Sequence, residues 1–240
     1  MSSPRLAGAL ARQLMFGVGA HAYDVLTGQP IWRAQILRLL DHVPPHDGPL
    51  RVLDLGTGPG VSAFTLAAAL PAGSTVTGVD LSARMIARAR RHHEQAFSHL
   101  GGVDFLVADA SRLPFAASTF DLVTGHSFLY LLPDPAAVLR EARRVLRPGG
   151  TAVFMEPAQA GSLLGAARAV ADPLGALRDD PLGATRFATS MALWRLVSGA
   201  HGRMSHERVA TLFAAAGFPE VVAHPTLGGL GLHCVAFAPA

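Results

Sequence analysis

The stretch RVLDLGTGPG at residues 51–60 constrains the fold of this chain more than any other segment. It is a short apolar run that ends in three glycines at alternate positions, and the helix-forming segment VSAFTLAAAL follows at once. Because glycine has no Cβ and adopts positive φ, such a strand–turn–helix unit brings backbone N–H groups close to a polar ligand. The stretch therefore predicts an α/β fold with a ligand site at the carboxyl end of its first strand.

Strand-like and helix-like segments alternate along the rest of the chain. Apolar segments rich in Val, Leu and Phe predict strands at residues 51–55, 74–81, 103–109, 120–126 and 150–157. The helix candidates between them favour parallel strands with crossover connections. After a last helix, residues 219–225 and 231–239 are too close in sequence for a crossover and predict an antiparallel hairpin. We expect a seven-stranded, mostly parallel sheet with an antiparallel last strand and helices on both faces.

The length of 240 residues suits a single domain. Its predicted parts are an N-terminal helical cap (1–49), a ligand-binding core (50–157), an apolar insertion (158–204), and a last helix with the strand hairpin (205–240). An insertion that follows the fifth strand lies at the ligand-binding edge of an open sheet, so we interpret it as a substrate lid. The candidate substrate-contacting residues at or beside this lid are Phe187, Met191, Trp194, His201 and His206.

Three aspartates narrow the choice of ligand. Asp54, Asp80 and Asp109 lie at the ends of the first, second and third predicted strands. A carboxylate at the second strand end accepts both hydroxyls of a ribose, Asp54 suits an ammonium group, and Asp109 suits an adenine amino group. An amino acid, a ribose and an adenine in this order describe S-adenosylmethionine (SAM).

Two other nucleotide classes fit the glycine turn less well. The dinucleotide fingerprint needs Gly-x-Gly-x-x-Gly, whereas the third glycine here comes one residue early, which disfavours an NAD-linked oxidoreductase. No Gly-Lys-Ser/Thr follows the turn, so the phosphate-binding Walker motif is absent from the sequence.

Composition limits the expected partners. The formal net charge is only +3 and no five basic residues are contiguous, so we expect no nucleic-acid partner. A single cysteine, Cys234, excludes an internal disulfide and a cysteine-based zinc cluster, and we expect no metal. Arg12 interrupts the apolar N-terminal stretch that imitates a secretory signal, so the predicted location is cytoplasmic. Peripheral membrane association and the oligomeric state stay open.

Four motifs in order carry a resemblance to a known family. VLDLGTGPG, VTGVDLSARMIARAR, VADASRLPFAASTFDLV and LREARRVLRPGG resemble the consecutive motifs of class I SAM-dependent methyltransferases. Within that superfamily the chain is most similar to the ubiquinone/menaquinone-biosynthesis C-methyltransferase-like (UbiE-like) group. Residues 157–204 do not match, and we expect substrate choice to be encoded there. The resemblance implies a Rossmann-like class I methyltransferase fold with SAM as cofactor and S-adenosyl-L-homocysteine as product.

The resemblance also implies positions for the methionine part of the cofactor. Gly56, Thr57 and Gly58 would pass beneath it, with Asp54 orienting either the turn or the ammonium group. Tyr23 occupies the position where the N-terminal segment of this family closes on the cofactor carboxylate.

The nucleoside part of the cofactor has its own implied contacts. Asp80 would hold the ribose hydroxyls, and Leu81 and Met85 would flank the adenine. Asp109 with Ala110 would meet the amino edge of the base.

His126 and Ser127 follow the fourth strand, beside the expected position of the methyl group. The expected reaction is an in-line SN2 transfer of methyl to a small apolar or aromatic acceptor, such as a quinone precursor, a phenolic natural product or a lipid. A base helps only with some acceptors, and His126, Tyr23 or His206 are the candidates. The alternatives are a non-catalytic SAM-binding or assembly subunit and a methyltransferase that acts on RNA or protein.

Overall fold

The structure is a computed structural model that describes residues 29–162, residue 165 and residues 181–239. Tyr23 and most of the predicted N-terminal cap lie outside these residues. The helices in the described part are α1 (Pro30–Leu37), α2 (Val61–Ala69), α3 (Ala83–His92), α4 (Pro135–Val145), α5 (Pro181–His201) and α6 (His206–Ala215). The strands are β1 (Arg51–Leu55), β2 (Thr75–Asp80), β3 (Val103–Val107), β4 (Phe120–His126), β5 (Leu146–Pro157), β6 (Val221–Thr226) and β7 (Gly231–Phe237).

The seven strands form one sheet in the order β3-β2-β1-β4-β5-β7-β6. Strands β1 to β5 pair in parallel, whereas β7 is antiparallel to both β5 and β6. This confirms the predicted Rossmann-like sheet with its antiparallel last strand. The chain runs outward from β1 in one direction and from β4 in the other, so the carboxyl ends of β1 and β4 flank the point where the strand order reverses. Ligands of open α/β sheets bind at such a point.

Local sequence signals set most of the element boundaries. The Ser82 side chain accepts a hydrogen bond from the backbone N–H of Met85 at the start of α3, and Asp134 caps α4 in the same way through Ala137. Several strand ends differ from the prediction by one or two residues, and two elements differ more. Helix α3 ends at His92 and continues as a π-helical turn over His93–Phe97. Strand β5 begins at Leu146 rather than at residue 150, because Leu146 pairs with Phe120 before the register shifts.

The sheet separates two apolar layers. On one face α4 and α6 pack with buried side chains such as Leu139, Phe154 and Phe213. On the other face α1, α2 and α3, together with Met191 and Trp194 of α5, pack on side chains that include Val153 and Met155. Since successive residues of a strand point to opposite faces, the alternating pattern of β5 supplies both layers. Burial of both faces fixes the register of the strands and therefore the positions of the residues at their carboxyl ends.

Candidate active site

The glycine turn after β1 forms the floor of the site. Gly56, Gly58 and Gly60 have φ values of +67°, +54° and +93°, in the left-handed region that favours glycine. A Cβ on Gly56 would overlap the ring of Phe128, which lies against the turn. The turn is held to the neighbouring strand because the backbone N–H of Thr57 donates to the Val79 carbonyl at 3.0 Å.

Asp54, near the end of β1, forms buried hydrogen bonds to elements on both sides of this turn. It lies in register with Thr124 of β4, whose hydroxyl donates to Asp54 Oδ1 at 3.0 Å. The hydroxyl of Ser62, from the first turn of α2, donates to Oδ2. Burial raises the pKa of Asp54 to about 6, and these hydrogen bonds oppose the rise. Of the two roles considered for Asp54, the geometry favours orientation of the turn, because only 1% of the residue is exposed.

Asp80 links the end of β2 to the glycine turn. Its Oδ2 accepts the backbone N–H of Gly58 at 3.0 Å, and its Oδ1 accepts the N–H of Ser82 at 2.8 Å. Burial raises the pKa of the carboxyl, and the two backbone hydrogen bonds work against this effect. Each carboxylate oxygen has a second lone pair, so Asp80 can still accept hydroxyl groups from a ligand.

The remaining predicted nucleoside contacts lie at the ends of β2 and β3. Leu81 is an exposed large apolar residue, 74% accessible, whereas Met85 of α3 is buried. Asp109 is exposed, and its Oδ1 accepts both the backbone N–H and the hydroxyl of Ser111. These hydrogen bonds lower the pKa of Asp109, so it is ionised at neutral pH. Ala110 beside it is half-buried.

His126 and Ser127 lie across the reversal point from the glycine turn. Burial lowers the pKa of His126 to about 4, and its Nε2 is buried with no hydrogen-bond partner among the described residues. Ser127 has a φ of +55°, an uncommon value for a residue with a Cβ. Its hydroxyl accepts a hydrogen bond from the indole N–H of Trp194 at 2.9 Å. The fourth strand therefore ends in two polar side chains that helix α5 partly covers.

Two tryptophans lie at the end of β4, Trp32 against His126 and Trp194 against Ser127. The ring of Trp32, from α1, meets the His126 imidazole edge-on at 5.7 Å and the Trp194 ring at 5.3 Å. The indole N–H of Trp32 donates to the hydroxyl of Ser190 at 2.8 Å, which ties α1 to α5. We call Trp32, His126, Ser127 and Trp194 the aromatic chamber.

The five predicted lid residues have different surroundings. Met191 and Trp194 are buried, and Phe187 packs partly buried against the same apolar layer. The His201 imidazole bonds to the Val197 carbonyl of its own helix and meets the Tyr130 ring edge-on. His206 is the exposed first residue of α6. The described contacts thus place Trp194 in the chamber and give no chamber contact for His201 or His206.

Glu156 is a site residue that the sequence interpretation missed. It lies at the end of β5 with no exposed surface, and burial raises its pKa to about 7. Its carboxylate accepts the backbone N–H groups of Phe128, Leu129 and Tyr130 at 2.8–3.1 Å. These bonds hold the loop that carries Ser127 and Phe128. One signal in the sequence could have identified it. Glu156 is a single carboxylate in an otherwise apolar strand, and a carboxylate that is buried there needs hydrogen-bond donors.

The residues present fit SAM. The glycines of the turn add no side chains of their own at the carboxyl end of β1, Asp80 offers carboxylate oxygens at the second strand, and Leu81 offers an apolar surface for a base. In the described residues no group of three or more His, Cys, Asp or Glu side chains has a geometry that would hold a metal ion. Nor does any described helix combine the length and the apolar character needed to cross a membrane.

Comparison with known proteins places the chain in a family. A family profile described as "Methyltransferase domain" matches residues 53–154. The nocamycin O-methyltransferase of Saccharothrix syringae is 34% identical over 212 residues, which cover 87% of this chain and 72% of that protein. The chain belongs to the class I SAM-dependent methyltransferases. SAM is therefore the cofactor of this methyltransferase.

A second curated relative and a solved structure with the same fold are also similar to the chain. The ubiquinone/menaquinone biosynthesis C-methyltransferase UbiE of Desulfotalea psychrophila is 33% identical to this methyltransferase, over 76% of this chain and 72% of that protein. A solved structure of Haemonchus contortus phosphoethanolamine N-methyltransferase 2 superposes with a TM-score of 0.68 at 19% identity, over 96% of this chain and 59% of that one. This chain covers only 29% and 32% of the length of two further curated relatives that it matches.

Proposed function

We propose that this methyltransferase transfers a methyl group to a small apolar or aromatic acceptor bound in the aromatic chamber. The observation that carries the proposal is that Trp32 contacts both His126, at the carboxyl end of β4, and Trp194 of α5. Flat indole faces favour a flat apolar partner, and the Ser127 hydroxyl and His126 Nε2 offer hydrogen bonds to one polar atom on it. Quinone precursors, phenolic natural products and lipids carry such atoms.

We assign the cofactor contacts as follows. The turn of Gly56, Thr57 and Gly58 lies beneath the methionine part, with Asp54 as the residue that orients the turn. Asp80 accepts the ribose hydroxyls in addition to its two backbone N–H groups. When bound, SAM supplies a methyl group on a positively charged sulfur.

The proposed location of the enzyme is cytoplasmic.

The nucleoside pocket is completed by an apolar wall and a polar edge. Leu81, exposed in this structure, and Met85 flank the adenine. Asp109, ionised and exposed, accepts from the exocyclic amino group, with Ala110 beside it.

The protein contributes alignment and exclusion of water to an in-line SN2 transfer. Helix α5 covers the end of β4 through the hydrogen bond of Trp194 to Ser127, so the acceptor atom is held away from bulk water. His126 is neutral at pH 7 because burial lowers its pKa to about 4. A neutral imidazole accepts a hydrogen bond through its unprotonated nitrogen and thus receives the acceptor's proton as the new bond forms.

The names of the relatives leave the acceptor atom open, since one is an O-methyltransferase and another a C-methyltransferase. Three probe acceptors separate the classes: 1,4-dihydroxynaphthalene for a quinol, 2-naphthol for a phenol and decanoate for a lipid acid. Calorimetry with SAM comes first, and labelled SAM with each probe follows. Transfer to at least one probe supports the proposal, whereas SAM binding without transfer to any of the three contradicts it.

A matched pair of α5 variants tests the role of the chamber. Trp194→Ala removes a wall of the aromatic chamber, whereas Leu196→Ala alters a side chain of the same helix that is 72% exposed. We expect Trp194→Ala to raise the acceptor KM by ~30-fold or more, since a buried aromatic anchor typically contributes about 2 kcal/mol or more, and Leu196→Ala to leave it unchanged. Equal effects of the two variants contradict an acceptor site at Trp194.

A further inference from the structure

Two histidines, His233 and His224, lie on the same side of the sheet as His126 of the aromatic chamber. His126 of β4 pairs in register with Met155 of β5, Met155 with His233 of β7, and His233 with His224 of β6. Residues in register on neighbouring strands point to the same face, so these side chains form one row across the sheet. The short 3-10 turn Leu40–His42, which follows α1, brings His42 onto this row.

The row runs from the interior to the surface. His42 Nε2 and His233 Nδ1 are 2.9 Å apart, a hydrogen bond between two imidazoles. The His224 ring stacks on the other side of His42 at 4.6 Å. Only 3% of His233 is exposed, His42 is half-buried, and His224 is exposed. The pair of His233 and His42 therefore connects a buried position to solvent.

Two buried imidazole nitrogens in this region lack a hydrogen-bond partner among the described residues. His126 Nε2 and His233 Nε2 are both buried, and neither has a hydrogen-bond partner in the described part of the chain. Buried polar atoms are nearly always paired, so two such atoms on one face indicate a shared water or a polar ligand atom. His126 and His233 pair in register with Met155 from either side, and a charge on His126 lowers the pKa of His233.

Both members of the pair are neutral at physiological pH. Burial lowers the pKa of His233 to about 3 and also lowers that of His42. The facing groups His126, Arg38 and His224 depress these values further, and Asp41 opposes the effect at His42. A neutral imidazole has one N–H and one acceptor nitrogen, so it takes a proton on one side and releases another on the other side.

Methyl transfer to a neutral acceptor releases a proton. The electron pair that forms the new bond to the methyl carbon is a lone pair of an acceptor oxygen or a π pair of an acceptor ring carbon, and the carbon–sulfur bond breaks with its electrons on sulfur. The O–H or C–H bond of the acceptor then releases its proton, and its electrons return to the oxygen or to the ring. In a chamber that excludes water this proton needs a path to solvent. Building on the methyl transfer proposed above, we propose that His233 and His42 carry it out of the chamber. The proton leaves His126 Nε2 and reaches His233 Nε2 through a water that bridges these two nitrogens across Met155. A second proton passes from His233 Nδ1 to His42 Nε2, and His42 releases a third from Nδ1 to solvent.

Three variants test this path with the probe acceptor that turns over best. His233→Phe and His42→Ala each interrupt it, and His46→Ala is the control, an exposed histidine of the same connecting segment. We expect both interrupting variants to lower kcat by ~10-fold or more with an unchanged KM for SAM, as for loss of a proton-transfer group. Added imidazole should restore His42→Ala, whose opening lies at the surface, and should not restore His233→Phe.

The opposite results overturn the proposal. If kcat of His42→Ala is unchanged between pH 6 and 9, the proton path is contradicted. A loss of kcat that imidazole does not restore contradicts it as well. If His233→Phe unfolds, the result for His42→Ala alone decides, because His42 is half-exposed. A separate readout needs no turnover. In protein labelled with ¹⁵N at histidine and bound to S-adenosylhomocysteine, NMR should detect coupling across the His42–His233 hydrogen bond, and its absence also overturns the proposal. Failure of the wild type to methylate any probe contradicts the proposed function instead.

Discussion

The substitution Glu156→Gln tests whether a buried carboxylate organises the loop after β4. Both Phe128 and Leu129 donate to Oε1, which the amide oxygen of glutamine can replace. Tyr130 donates to Oε2, and there the glutamine NH₂ presents a second donor. One buried N–H therefore loses its acceptor, which corresponds to a destabilisation of about 1–3 kcal/mol. For a chain of this size we expect the melting temperature to fall by roughly 2–4 °C for each kcal/mol.

The destabilisation by Glu156→Gln should depend on pH. Burial raises the pKa of Glu156 from its usual 4.5 to about 7, against the opposing effects of three N–H groups and the positive charge of Arg208. A carboxyl with a raised pKa stabilises the fold fully below 4.5 and loses this contribution as the pH rises through about 7. The difference corresponds to about 3 kcal/mol. Since glutamine does not titrate, the deficit of the variant should be largest near pH 5 and smaller at pH 8.

Urea unfolding at pH 5, 7 and 8, followed by the fluorescence of Trp32 and Trp194, measures this deficit. Glu207→Gln is the control, because Glu207 is an exposed carboxylate on α6. A deficit below about 0.5 kcal/mol at every pH, within the range of ordinary surface substitutions, would refute the role of the carboxylate. A deficit that grows with pH would refute the direction of the pKa, because it would mean that the three hydrogen bonds outweigh burial.

Three further substitutions probe the cofactor site. Asp80→Ala should weaken SAM binding by about 1–3 kcal/mol in calorimetry, because it removes the proposed ribose acceptor and frees the backbone N–H of the turn; an unchanged affinity would mean that the ribose binds elsewhere. Gly56→Ala should lower the melting temperature and SAM affinity together, since φ is +67° and the new Cβ overlaps the Phe128 ring. Ser62→Ala removes a donor from the buried Asp54 carboxylate and should reduce the free energy of unfolding by about 1–3 kcal/mol, measured in urea; a stability equal to wild type would mean that Asp54 does not need this donor.

Short-range signals predicted the topology and the cofactor class. The glycine turn, the caps at Ser82 and Asp134, and the alternation of segments depend on backbone conformation within a few residues, and all can be read along the chain. The alternation of segments predicted parallel strands, whose carboxyl ends share one edge of the sheet, and this placed Asp80 on the same edge as the glycine turn. The order of the strands came only from the structure. The structure adds that the Asp80 carboxylate is bonded to that turn.

The partners of the buried polar groups were decided by tertiary structure alone. Glu156 meets loop donors that precede it by 26–28 residues, and His42 meets His233 across a separation of 191 residues. These pairs cannot be predicted from neighbouring residues. A buried acceptor is stabilised by any donor that packing brings near it, so the identity of the donor depends on the tertiary structure. The periodicity of a segment determines which element forms and which face is buried. The side chains that meet over that face depend on how helices α1 and α5 pack at the ends of β4 and β5, and this packing gives His126, Trp32 and Trp194 their common chamber.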